Sequence, residues 1–171
     1  MKLNVRLNSA DLKRAASQIR AYRQNLDEKC QRLSRMVAEL IAEEASTRFA
    51  GAVVDDLVQG SPRMADVSVR IENRGNICVV IAEGNDAVFA EFGAGVYHNG
   101  SVGSSPHPWG SALGMTIGSY GKGNGRKTAW GFVDETGLHI THGAPASMPL
   151  YTSMLHVSER IEELAREVFA S

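Results

Sequence analysis

Leu3, Val5 and Leu7 alternate with Lys2, Asn4 and Arg6, a period of two that predicts a short strand with one buried face. Asn8 or Ser9 then caps a helix, with Asp11 in the first turn, where the helix dipole favours an acid. The next forty residues hold neither glycine nor proline. Leu12, Ile19, Leu26, Leu33 and Leu40 recur every seven positions. Ala16, Tyr22, Cys30, Val37 and Glu44 occupy the adjoining helical rows, so the second row is mixed. The pattern predicts helix over 9–50, with a bend near Asn25-Leu26-Asp27; unbroken, it would span roughly 60 Å. Such a stripe suits an oligomerisation coil or a helix packed on its own sheet. The mixed second row and the scattered Arg14, Arg23 and Arg35 favour packing within the chain.

Gly51, Gly60 and Pro62 end the helical region. Val67, Val69 and Ile71 alternate with polar residues, and Asn73-Arg74-Gly75-Asn76 leads into the β-branched run Ile77 to Ala82, which predicts a hairpin. Asn85-Asp86 can cap a short helix from Ala87 to Phe92, stopped by Gly93 and Gly95. Trp130 to Val133, a turn at Asp134 to Gly137, and Leu138 to Thr141 predict a second hairpin. After Gly143-Ala144-Pro145-Ala146, Ser147 can cap a last helix whose apolar face is Leu150, Met154, Val157, Ile161, Leu164 and Val168. The fold expected is α+β: a single domain over 1–171, with a small antiparallel sheet packed by a long N-terminal helix and a C-terminal helix.

Between these elements the composition changes. Gly93 to Gly131 holds eleven of the chain's 17 glycines, and no acid occurs from Phe92 through Val133. Ordering such a loop costs roughly 1–2 kcal/mol per residue. Tyr97, Trp109, Met115, Ile117 and Tyr120 are costly to leave in water, so 97–128 reads as an extended arm that orders against a neighbouring polypeptide. Phe89, Glu91, Phe92, Gly93 and Gly95 are its expected anchor, with Glu91 accepting hydrogen bonds from loop backbone or pairing with an arginine.

At 171 residues the chain can bury a real core. Its net charge of -1 gives no global attraction to nucleic acid or anionic membrane, so any electrostatic partner must be met by a local patch. Lys122, Arg126 and Lys127 form one such patch, suited to an acidic neighbour or to weak, salt-sensitive contact with DNA phosphate. Cys30 and Cys78 make no disulfide framework, which points to a reducing cytosol. The N-terminus lacks the apolar run of a signal peptide, and no stretch has the length of a membrane span.

The candidate chemistry is thin. Gly121 to Thr128 resembles a phosphate-cradling loop, but Arg126 stands where the Walker pattern needs glycine, and no helix is predicted to follow. His98, His107, His139, His142 and His156 show no metal-ligand spacing, so no metal or cofactor is expected. Glu91, flanked by Phe89 and Phe92, could serve as a general acid; with His98 or His107 it defines the rival reading, a small hydrolase. A host-encoded oligomeric scaffold is a third.

Phe89-Ala90-Glu91-Phe92-Gly93-Ala94-Gly95, a Gly/Pro/His loop, Trp130-Gly131-Phe132 and Gly143-Ala144-Pro145-Ala146 before a final helix together resemble the tail-component family of long-tailed bacteriophages. The resemblance covers about 87–170. In that family the first motif commonly carries Val-Glu-Phe-Gly-Thr-Gly, and the later one often has Arg-Gly before the proline and Pro-Phe after it. Here His142 precedes Gly143, and Pro149-Leu150 replaces Pro-Phe. The resemblance implies a virion structural protein, not an enzyme. It would act in head–tail joining, the neck or tail completion of a phage or prophage, and would be made in the bacterial host cytoplasm. It also implies a ring, a hexamer, of copies around the DNA channel, touching other neck or tail proteins.

Overall fold

The computed structural model describes residues 8–55, 60–93, 105–113 and 129–170. The strand expected at Leu3–Leu7 lies outside them. Helix α1 runs unbroken over Ser9–Ala50. The bend expected near Asn25 is absent because Asn25 and Asp27, weak helix formers, are carried within a helix that nothing else interrupts. Asn8 is the N-cap: its Oδ1 accepts from the Asp11 amide at 2.8 Å. At the far end the Gly51 amide donates to the Arg48 carbonyl.

The fold is α+β, as expected, and among the described residues three two-stranded antiparallel pairs follow in place of one small sheet. β1 (Val53–Asp55) pairs with β2 (Arg63–Met64), a contact the sequence pattern did not announce. β3 (Ser68–Arg74) and β4 (Ile77–Glu83) form the first expected hairpin in unbroken register from Ser68↔Glu83 to Arg74↔Ile77, turning at Gly75 with φ 66°. α2 (Ala87–Phe92) is the expected short helix. β5 (Trp130–Asp134) and β6 (Gly137–Thr141) form the second hairpin. The last helix is broken in two at Arg160, giving α3 (Pro149–Glu159) and α4 (Ile161–Ala170). The apolar face bends with it: Val157, Leu164 and Val168 are buried, while Ile161 is exposed at the break.

The core sits where the C-terminal end of α1 meets β1, α2 and the connector before α3, beside the β3–β4 hairpin. Ala45, Phe49, Ala52, Val54, Ala90 and Ala144 are buried together, with Val67, Val69, Ala82, Phe89 and Leu150 packed around them. Four alanines in that cluster leave little side-chain volume between backbones, so Phe49 is the largest filler. Gln31 ties the β3–β4 turn to α1 through Asn76 at 2.8 Å, and Lys29 reaches the Phe169 carbonyl at the end of α4. Upstream of those ties α1 loses its cover among the described residues: from Leu12 to Glu28 only Ala15 and Ala16 are other than exposed.

One close approach sets the entry to α2. At Gly84 (φ 146°) a Cβ would stand 2.3 Å from the Asp66 carbonyl oxygen, so only glycine lets 84–86 lie against 65–67. Asp86 uses the approach. Its carboxylate takes two hydrogen bonds from Arg63, at 2.7 and 3.0 Å, and one from the Asp66 amide at 2.9 Å. The Arg63 guanidinium, then the Asp66 amide, hold the Asp86 carboxyl below the usual aspartate range, against the opposite pull of burial. Asp86 occupies the N-cap position of α2 but makes no side-chain cap, since its oxygens are turned to Arg63 and Asp66.

Candidate functional site

The residues singled out in the Phe89–Gly93 motif converge at the C-terminal end of α2. Phe89 packs on the core, and the Gly93 amide closes the helix on the Phe89 carbonyl at 2.8 Å with φ 82°. Gly95 lies outside the described residues. Glu91 is buried, 5% exposed, and points at the start of α3.

That start needs a partner. Pro149 occupies the first turn, and Met148, at the N-cap position, has φ 51° and no side-chain cap. The free N–H groups of a helix N-terminus carry partial positive charge and must be satisfied. Glu91 does this from another element: Oε2 accepts from the Leu150 amide and Oε1 from the Tyr151 amide, each at 2.9 Å. The expected Ser147 cap does not form. Ser147 instead donates its amide and hydroxyl to the Ala90 carbonyl, at 3.0 and 3.1 Å, where the Met148 amide joins it.

A third strand of the joint comes from the glycine-rich stretch. His107 lies 3.2 Å, through Nε2, from Glu91 Oε1 and is 4% exposed. Its Nδ1 accepts from the Trp109 amide at 3.1 Å, so the ring proton sits on Nε2 and is donated to Glu91. Ser105 Oγ donates to the Phe92 carbonyl and accepts from the His107 amide. The His107 ring stands 4.5 Å from Phe92 and 5.0 Å from Tyr151, and Trp109 meets Tyr151 edge-on at 5.4 Å. The segment 105–113 therefore folds back on its own chain. The expectation that 97–128 leaves the body as an unpacked arm fails over these nine residues, because a buried carboxylate and two aromatic rings receive them. Trp109 remains half-exposed, at 51%. Tyr97, His98, Met115, Ile117, Tyr120, Lys122, Arg126 and Lys127 lie outside the described residues.

Glu91 thus has neither of its expected partners, loop backbone or arginine, but a helix N-terminus and a histidine. The rival hydrolase reading named this same acid–histidine pair. In the structure both oxygens of Glu91 and both ring nitrogens of His107 already have partners within the fold, and both side chains are shut from solvent. The arrangement holds three segments together, with the two α3 amides and His107 taking three of the carboxylate's acceptor sites.

Elsewhere, two shallow grooves flank α1. One of about 390 Å³ runs between α1 and α3 past Glu44 and Arg48. Glu44 pairs there with His156 at 2.8 Å and with Arg48, which together hold its carboxyl below the usual range. The other, about 330 Å³, brings Cys30 and Cys78 to one apolar groove although they belong to different elements; both are free thiols. Among the described residues no group of three or more His, Cys, Asp or Glu side chains is placed to hold a metal ion, and no helix is long and apolar enough to cross a membrane. Comparison with protein-family models, curated proteins and solved structures finds no match.

Proposed function

We propose that this chain is a structural virion protein of the phage head–tail junction or tail end, a neck or tail-completion component that works by assembling, in a ring, with copies of itself and with other tail proteins. The observation that carries the reading is the sealed Glu91 joint. The most distinctive sequence motif serves to fasten α2, the 105–113 segment and α3 to one another, an architectural use of a buried carboxylate. The joint seats Phe92, Ser105 and His107, which lie close in sequence to Tyr97, Met115, Ile117, Tyr120 and the Lys122, Arg126, Lys127 cluster.

A second feature supports it. Val133, Leu138 and Ile140 share one face of the β5–β6 hairpin and are 75%, 70% and 50% exposed. A lone two-stranded hairpin is marginal in water, and an apolar face on it gains from cover by another subunit. In the phage or prophage encoding this chain, Leu138→Lys should abolish joining of heads to tails while the purified subunit keeps its circular dichroism and melting temperature. Wild-type yields of infectious particles from that variant would defeat the reading.

The hydrolase alternative rests on the Glu91–His107 contact alone. It requires turnover of an ester or amide substrate that disappears in His107→Ala, which the assembly reading does not.

A further inference from the structure

The exposed half of α1 carries a seam with a defined geometry. Leu12, Ile19 and Leu26 are 51%, 53% and 39% exposed and belong to the seven-residue row whose later members, Leu33 and Leu40, are partly covered by the rest of the chain; Tyr22, 53% exposed, lies in the adjoining row. A straight helix packing on a globular body drifts out of an exact seven-residue register; a helix paired along its length with another helix holds it. From this we infer that the free half of α1 pairs antiparallel with the same segment of a second copy, independently of any role in a virion.

Three observations choose that occupant and that direction. The first is charge. The positions that flank the seam carry Asp11 at the N-terminal end of this half and Arg32 at its other end. Antiparallel pairing sets Asp11 beside Arg32 of the second copy, twice by symmetry. Parallel pairing separates them and brings the two Lys29 side chains face to face in the seam. The second is fit. With Ile19 opposite Tyr22 of the second copy, Ala15 faces Leu26 and Leu12 faces the Lys29 stem, while Gln18 flanks Asn25 and Asp11 flanks Arg32. Small meets large, and no like charges meet at the flanks. The third is room. The body of the molecule begins at Lys29 and Gln31, tied to α4 and the β3–β4 turn. In this register Gln31 lies opposite residue 10 of the second copy, so each helix ends where the other body begins. The pair spans roughly 30 Å, and the two bodies sit at opposite ends. Side by side in parallel, they would compete for the same space.

The test uses the full chain. In a Cys30→Ser, Cys78→Ser background, Gln18→Cys with Asn25→Cys should form under mild oxidation an intermolecular 18–25 disulfide, well in excess of 18–18 and 25–25 disulfides, as read by peptide mass spectrometry. A control pair on the outer face, Ser17→Cys with Gln24→Cys, should crosslink at least tenfold more slowly. Sedimentation equilibrium of the unmodified chain should show pairing above the 18.4 kDa of one chain. Ile19→Asp should weaken that association at least tenfold with an unchanged melting temperature for the dilute subunit. A statistical mixture of disulfides, or a chain that stays at single-chain mass at its highest soluble concentration, would overturn the inference.

Discussion

The two halves of α1 share a helix, a seven-residue leucine row and an absence of glycine and proline, yet they meet different fates. The C-terminal half buries Ala38 and sinks Ala45 and Phe49 into a core shared with β1, α2 and Ala144, with β3, β4 and the start of α3 packed around it. Its N-terminal half shows Leu12, Ile19, Tyr22 and Leu26 to solvent among the described residues. Periodicity says that a face is meant to be covered; it does not say by what. What separates the halves is the partner each one finds. Small buried residues at 38 and 45 let other elements of the chain approach, whereas the equivalent positions three heptads earlier, Ser17 and Gln24, are exposed.

Breaking the covered half should have the largest effect. Phe49→Ala removes the main filler of an alanine-lined core and should lower stability by roughly 3–5 kcal/mol in urea unfolding. Loss below 1 kcal/mol would mean that the cluster around Phe49 is not the core. Next comes the joint that positions α3 against this half. Glu91→Ala strands two helix N-terminal amides and His107, and should lower stability by roughly 2–3 kcal/mol. Hydrogen exchange at Leu150 and Tyr151 should accelerate in that variant and stay near wild type in His107→Ala, which removes only the loop's attachment.

Asp86 gives a graded, pH-dependent version of the same experiment. Its carboxyl in the folded protein lies below the unfolded value, held there first by Arg63, so its contribution is complete above the unfolded pKa and is lost as pH falls through the folded one. The urea midpoint should therefore decline below about pH 4, and Asp86→Asn should flatten that decline and lower the midpoint at neutral pH. The smallest effect belongs to the exposed half. Ile19→Asp should shift the stability of the dilute subunit by less than about 0.5 kcal/mol, so the contrast with Phe49→Ala is the sharpest statement of how differently one helix is used.

Much of the fold was written in periodicity. The bounds of the long helix, both hairpins and the short Ala87–Phe92 helix follow from alternation and from Gly51, Gly75 and Gly93 at the turns. What escaped was non-local. β1 and β2 are three and two residues long, too short for a pattern. Arg160 ends α3 without a glycine or proline to mark it. The importance of Glu91 was legible from its aromatic flanks, but its partners lie 16 and about 60 residues away. His107 was named beside Glu91 only as one of two candidates in the hydrolase reading; its one local signal was the pair of prolines, Pro106 and Pro108, that pin its backbone.

The distance along the chain between Glu91 and α3 has a consequence for synthesis. The carboxylate leaves the ribosome well before Leu150 and Tyr151, so α2 cannot bury its acid until nearly the whole chain has emerged. Until then Glu91 favours water over the apolar surroundings it will later occupy. The nascent polypeptide is thereby kept from sealing this joint early, and closure falls to α3.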